Sequence, residues 1–223
     1  MAIRGVIFDY GMVLSNPQDP AVHQRLIEVS GLSREVFEHH YWLYRHAYDL
    51  GEFNGVTYWQ RIGADTASNY SPEQIEQLIE NDVLMWTSLN EEMLGWVTAL
   101  QEAGFKTAIL SNMGPEILRY MRQEFGWLAH FNHHTWSCEL GIAKPDPAIY
   151  THTCEKLGLP PEETIFLDDK PENIAAAAGV GLNAIQFLSI AQLRRDLEAR
   201  GLQSGLPVPG DLASSDASSG RGR

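Results

Sequence analysis

The chain has 223 residues, 44% hydrophobic and 20% charged, which are the proportions of a globular protein with one sizeable core and room for a smaller module. Its 29 acidic against 16 basic side chains give a formal net charge of −13, which opposes polyanions and excludes nucleic acid and anionic membrane surfaces as expected partners. The two cysteines, Cys138 and Cys154, have no metal-ligand spacing and are too few for a disulfide framework, so a reducing, cytoplasmic setting is expected.

Residues 3–8 form an apolar run that reads as a buried strand and stops at Asp9. The run is too short and too soon interrupted for a signal peptide or membrane-spanning helix. Residues 9–16 are loop-like, and Pro17 and Pro20 mark a change of texture. No strand is expected from 21 to 88; helical stretches run near 21–30, 33–50, 56–68 and 72–86. Ser33 and Ser71 stand as N-caps, the latter followed by Pro72 and Glu73.

Beyond this helical module, a helix over Glu91–Glu102 is closed by Gly104 and followed by a strand over 106–110. Gly114-Pro115 opens a helix to about Glu124, and 133–137 reads as a short strand. A helix over 145–157 ends at Gly158, a strand covers 164–167, a short helix covers 171–178, and a last strand covers 183–187. Strands alternating with helices predict an α/β fold, a Rossmann-like parallel sheet, because parallel neighbours need a crossover. The expected division is a core of 1–16 and 89–202, a helical cap inserted over 17–88, and a disordered tail over 203–223, rich in Gly, Pro, Ser, Ala and Asp.

Three strand ends carry the notable polar residues: Asp9 after Phe8, Ser111-Asn112 after Leu110, and Asp168-Asp169 after Leu167. In open parallel sheets ligands bind beyond the carboxyl ends of the strands, where helix N-termini also favour anions. Carboxylates gathered there repel one another unless a cation sits among them, and Mg²⁺ suits hard oxygen ligands while leaving room for a phosphate.

With these residues in place, the sequence resembles the haloacid dehalogenase superfamily, in particular its phosphatase branch with a helical cap. The resemblance covers roughly residues 3–190 and rests on Phe8-Asp9-Tyr10-Gly11, Leu110-Ser111-Asn112, Gly141-Ile142-Ala143-Lys144-Pro145 and Phe166-Leu167-Asp168-Asp169 followed by Glu172-Asn173. It implies that Asp9 is the nucleophile and forms an aspartyl-phosphate. It further implies that Mg²⁺ is held by Asp9, the Gly11 carbonyl, Asp169 and Asp168. Ser111 and the Asn112 backbone would bind phosphate, and Lys144 would neutralise charge on the nucleophile and phosphoryl group. A small phosphorylated metabolite, such as a sugar phosphate, is the implied substrate; oligomeric state is not legible.

One position departs from the pattern. Phosphatases of this superfamily usually carry a second Asp two residues after the nucleophile as general acid and base; here it is Gly11, followed by Met12. Losing such a group costs roughly 10²–10⁴-fold, so substrates with good leaving groups suffer least. Two alternatives follow: a 2-haloacid dehalogenase using the same Asp9, and a catalytically weakened protein that binds phospho-ligands in a regulatory role. In the cap, Tyr41, Trp42, Tyr44 and Tyr48 read individually as packing residues, His39, His40 and His46 as non-ligands, and Arg45 as a surface salt-bridge partner.

Overall fold

The computed structural model describes residues 2–210. Its centre is a five-stranded, all-parallel sheet of β1 (Gly5–Phe8), β2 (Lys106–Ser111), β3 (His133–Trp136), β4 (Thr164–Asp168) and β5 (Asn183–Gln186), in the order β3-β2-β1-β4-β5. The central strands are continuous apolar runs because both faces are covered. Alternate residues divide between the faces: Val6, Phe8, Ile109, Ile165 and Leu167 join one core, while Ile7, Ala108, Leu110 and Phe166 join the other.

Five helices, α1 (Pro20–Ser30), α2 (Arg34–Leu43), α3 (Arg45–Asp49), α4 (Gly55–Asp65) and α5 (Pro72–Leu84), follow β1 and pack around a third core that includes Phe37, Tyr41, Tyr58 and Trp59. Ser71 caps α5 in a reciprocal capping box with Gln74, and Ser33 accepts from Val36 N at the start of α2. The expected single helix over 33–50 is instead broken at Tyr44, whose φ of −101° and ψ of −3° separate α2 from α3. The chain enters and leaves this insert side by side. Ser15 bridges Leu89, and Asn16 N donates to Ser88 O at 2.8 Å.

The remaining helices cover the sheet: α6 (Glu91–Glu102), α7 (Pro115–Glu124), the single turn α8 (Ser137–Leu140), α9 (Pro147–Leu157), α10 (Pro171–Gly179) and α11 (Ile190–Ala199). Helices α6, α7 and α11 supply Trp96, Ile117 and Leu193 to one face, and α9 supplies Ile149 and Tyr150 to the other. Helix α9 begins at Pro147 rather than at Pro145, because Asp146 accepts from Ala148 N as its N-cap. Residues 203–210, grouped by composition with a disordered tail, pack on the core: Leu206 is buried and Trp96 Nε1 donates to Pro207 O at 2.8 Å. The rest of that expected tail lies outside the described residues. Among the described residues no helix is long and apolar enough to cross a membrane.

Candidate active site

Strands β1, β2 and β4 deliver their last residues to one edge of the sheet, with Phe8 in register with Ile109 on one side and Leu167 on the other. Asp9 follows β1 directly, Ser111 ends β2, and Asp168 ends β4. Since β1 pairs to both sides, its end is the point where the strand order reverses, the crevice in which open α/β sheets hold ligands.

Lys144, in the loop before α9, joins two of these ends. Its Nζ lies 2.8 Å from Asp9 Oδ1 and 2.6 Å from Asp168 Oδ2, and the lysine is only 3% exposed. Its backbone is gripped from β2's end: Asn112 Oδ1 accepts from Lys144 N at 2.8 Å, and Asn112 Nδ2 donates to Lys144 O at 2.8 Å. The Asn112 side chain is thus a structural clamp. Ser111 is buried, and its hydroxyl makes only a long 3.5 Å contact with Asn112 O.

Asp168 is fully buried and saturated with donors. Besides Lys144 it accepts from Asn173 Nδ2 at 2.9 and 3.0 Å and from Lys170 N at 2.9 Å. Burial alone would raise its carboxyl, but the Lys144 ammonium and these hydrogen bonds hold it below the usual range. Asp169 differs: burial and the neighbouring Asp168 push its carboxyl up, and its side chain receives no hydrogen bond from another described residue. Burial likewise pushes Asp9 up to about 7 against the pull of Lys144, with Asp168 and Asp169 adding repulsion.

One carboxylate oxygen from each of Asp9, Asp168 and Asp169 lies within 4.8 Å of the others, the only such group among the described residues. Three acids against one lysine leave an excess of negative charge on hard oxygen donors. The donor set fits a small divalent cation, whose charge would offset the mutual repulsion of these acids. Gly11 stands beside them with an ordinary extended backbone (φ −61°, ψ 133°), while Met12 adopts φ 62°.

A cavity of about 750 Å³ opens above this edge, floored by Asp9, Ser111, Lys144 and Asp169 and roofed by Trp42, Arg45, His46 and Asp49 of the helical insert. Of the four cap aromatics singled out in the sequence, only Trp42 lines it; Tyr41 and Tyr48 are buried in the insert's core. Arg45 is not a surface residue. Its Nε meets Asp49 Oδ1 at 3.0 Å, its Nη1 meets Asp82 Oδ1 at 3.0 Å, and its guanidinium is 5.3 Å from the centres of the Tyr41 and Tyr48 rings.

The insert is fastened over the crevice from α3. Tyr48 OH donates to Glu116 Oε2 at 2.7 Å, Gly55 N donates to Glu116 Oε1 at 2.8 Å, and Ser137 Oγ donates to Asp49 O. Gly114 at the start of α7 admits the Tyr48 ring, since an added Cβ would lie 2.3 Å from it. Asn173, Asp49 and Glu116 are the participants that strand-end reasoning misses. Asn173 had a signal in the Glu172-Asn173 pair after the twin acids.

A sequence model of the haloacid dehalogenase-like hydrolases matches residues 3–181, and the chain belongs to that family. Its backbone superposes with a TM-score of 0.69 on a family enzyme of Bacteroides thetaiotaomicron solved with magnesium and inorganic phosphate; that pair is 19% identical and covers 83% of this chain and 94% of the other. In sequence it is 32% identical over 157 residues to bifunctional epoxide hydrolase 2 of Rattus norvegicus, a match spanning 66% of this chain but only 27% of the rat protein. It is also 33% identical over 96 residues to (S)-2-haloacid dehalogenase 1 of Pseudomonas sp. (strain CBS-3), covering 43% and 42% of the two chains.

Proposed function

We propose that the chain is a magnesium-dependent phosphohydrolase that acts on a small phosphorylated metabolite through an aspartyl-phosphate on Asp9. The observation that carries this is Lys144 Nζ bridging Asp9 and Asp168, with Asp169 alongside and free of other donors. A nucleophilic carboxylate beside an ammonium and an unbalanced acid pair is what transfer of a charged phosphoryl group requires.

In this reading Asp9, Asp169 and the Gly11 carbonyl would hold a divalent cation, which would supply positive charge to the phosphoryl oxygens. Asp168, its oxygens already occupied, serves by anchoring Lys144 rather than as a direct ligand. The free Asp9 oxygen attacks phosphorus in line as the bond to the leaving oxygen breaks. Ser111 donates its hydroxyl to a phosphoryl oxygen, and Lys144 offsets the negative charge that gathers between Asp9 and phosphorus. Water then attacks phosphorus, the bond to Asp9 breaks, and inorganic phosphate leaves.

No proton donor stands at Gly11, so esters with better leaving groups suffer least, a sugar 1-phosphate less than an ordinary alkyl phosphate. The Bacteroides structure with magnesium and phosphate supports the reading at the level of fold. A cytoplasmic setting accords with the acidic chain and its two free cysteines.

The Pseudomonas likeness favours a second reading, dehalogenation of a 2-haloacid by the same Asp9. The acid cluster speaks against it, because an anionic haloacid would meet three carboxylates with one lysine to offset them. Phosphate release from a panel of phosphomonoesters with Mg²⁺, abolished in Asp9→Asn, tests the phosphatase. Metal-independent chloride release from 2-chloropropionate would overturn it in favour of the dehalogenase. A stable BeF₃⁻ adduct with no turnover of any ester would make the chain a phospho-ligand-binding protein instead.

A further inference from the structure

The cavity's floor is taken up with phosphate chemistry, so selection among leaving groups falls to its roof. We infer that Asp49 is the residue by which the cap reads the leaving group, accepting a hydrogen bond from a substrate hydroxyl or other neutral donor and repelling a second anion. This rests on the phosphatase reading above.

The roof holds a charged cluster in which carboxylates outnumber cations. Arg45, with a side chain only 10% exposed, spends Nε on Asp49 Oδ1 and Nη1 on Asp82 and the Tyr41 hydroxyl. One guanidinium against two carboxylates leaves the cluster formally negative, and Nε and Nη1 of Arg45 are already engaged within it. Asp49 uses only Oδ1 in this pairing. Its Oδ2 receives no hydrogen bond from any described residue and is not sealed away, and the residue lines the cavity. Burial pushes the Asp49 carboxyl up against the pull of Arg45, with Asp82 adding repulsion, so a hydrogen-bond donor that fills the space beside Oδ2 favours the ionised form.

The orientation is fixed from both sides. The Asp49 backbone carbonyl accepts from Ser137 Oγ, and Ser137 Oγ in turn accepts from Met113 N, which follows the Ser111-Asn112 pair. Two residues on, Gly51 adopts φ 75° against the Cys138 carbonyl, where an added Cβ would lie 2.5 Å from the oxygen. The roof carboxylate is therefore held at a set place relative to the phosphate-binding loop. Lys170, exposed and lining the same cavity beside Asp169 and Glu172, is the ammonium whose charge acts on Asp49 from the floor.

The test compares glycerol 3-phosphate with 3-phosphoglycerate, which differ only by a hydroxymethyl group exchanged for a carboxylate, and uses p-nitrophenyl phosphate as a reference with neither. Wild-type protein with Mg²⁺ should prefer glycerol 3-phosphate in kcat/KM by at least about tenfold, since like charges brought together are strongly disfavoured. Asp49→Asn retains an oxygen for Arg45 and should shrink that preference by about fivefold or more, mainly through a lower KM for 3-phosphoglycerate, when each kcat/KM is taken relative to the same protein's own value for p-nitrophenyl phosphate. An unchanged preference in Asp49→Asn while p-nitrophenyl phosphate is still hydrolysed would overturn the inference and leave the phosphatase standing. A wild-type preference below about twofold would overturn it too, by pointing to Lys170 as a carboxylate partner, and needs no variant to fold. No phosphate release from any of the three esters would remove the phosphatase reading and this inference with it.

Discussion

Asn112 holds the backbone of Lys144 at both ends of one residue, accepting from its N–H and donating to its carbonyl, each at 2.8 Å. The end of β2 thereby sets where the Lys144 ammonium meets Asp9, although the two residues are far apart in sequence. Asn112→Ala removes both bonds and leaves a part-buried N–H and C=O unpaired, at a cost of about 1–3 kcal/mol. A displacement of about 1 Å in a charged catalytic group costs on the order of 10²-fold in rate. Asn112→Ala should therefore keep its circular dichroism spectrum and lose about 10²-fold in kcat for phosphate release. A kcat within about threefold of wild type would show that Lys144 needs no such clamp.

The acid cluster would tie binding of the proposed cation to pH. Asp9 is pushed from its usual 3.8 up to about 7 by burial and by its acidic neighbours. A carboxyl raised on folding contributes stability below its unfolded pKa and loses it as pH climbs through the folded value. The cation-free protein should therefore lose stability between about pH 4 and about pH 7. A divalent cation favours the ionised acids and releases the proton, so it binds better above that window than within it. The rise in Tm on adding Mg²⁺ should be larger at about pH 8 than at about pH 6, and Asp9→Asn should flatten the difference. Equal Mg²⁺ shifts at both pH values in wild type would place the cation elsewhere.

Glu116 governs how the insert sits on the core. It is buried in the first turn of α7, where its charge also suits the helix N-terminus, and it accepts from Tyr48 OH at 2.7 Å and Gly55 N at 2.8 Å. Hydrogen bonds to a charged acceptor contribute about 1.5–3 kcal/mol. Glu116→Ala should loosen the roof, raising KM for a polyol phosphate about tenfold and hastening proteolysis at the paired linkers around Asn16 and Ser88. Unchanged KM and unchanged cleavage would show that the other contacts of α3 suffice.

The strand ends were legible because strands buried on both faces must be apolar throughout, so Asp9 and Asp168-Asp169 stand out where the runs stop. The same logic fails for the roof. Arg45 and Asp82 are 37 residues apart and Tyr48 and Glu116 are 68 apart, pairings that no local pattern announces. The break at Tyr44 has no Gly or Pro to mark it, and no helix is expected from the sequence where α11 lies between the last strand and the polar tail. Composition also misjudges residues 203–210, where Leu206 and the Pro207 carbonyl are enough to anchor a polar stretch to the core. In sequence Asp168 and Asp169 both stand as metal-ligand candidates, Asp169 first. Only the three donors around Asp168 separate the lysine anchor from the free carboxylate.

Gly11 gives the most direct test of how the leaving group acquires its proton. Its φ of −61° and ψ of 133° suit any L-residue, and an added Cβ would meet nothing nearer than Trp86 Cζ3 at 3.9 Å, an ordinary contact. The glycine is therefore not required by the backbone, and Gly11→Asp would place a carboxyl two positions after Asp9, the proposed nucleophile, while sparing the backbone carbonyl. A positioned acid is worth roughly 10²–10⁴-fold where the leaving oxygen must be protonated, and little where it departs as a stable anion. Gly11→Asp should raise kcat for glycerol 3-phosphate by about 10²-fold and change p-nitrophenyl phosphate turnover by less than about threefold. Equal gains on both esters would mean that the new carboxylate acts on the cation or on phosphate binding. No gain on either would mean that proton transfer to the leaving oxygen does not limit this site.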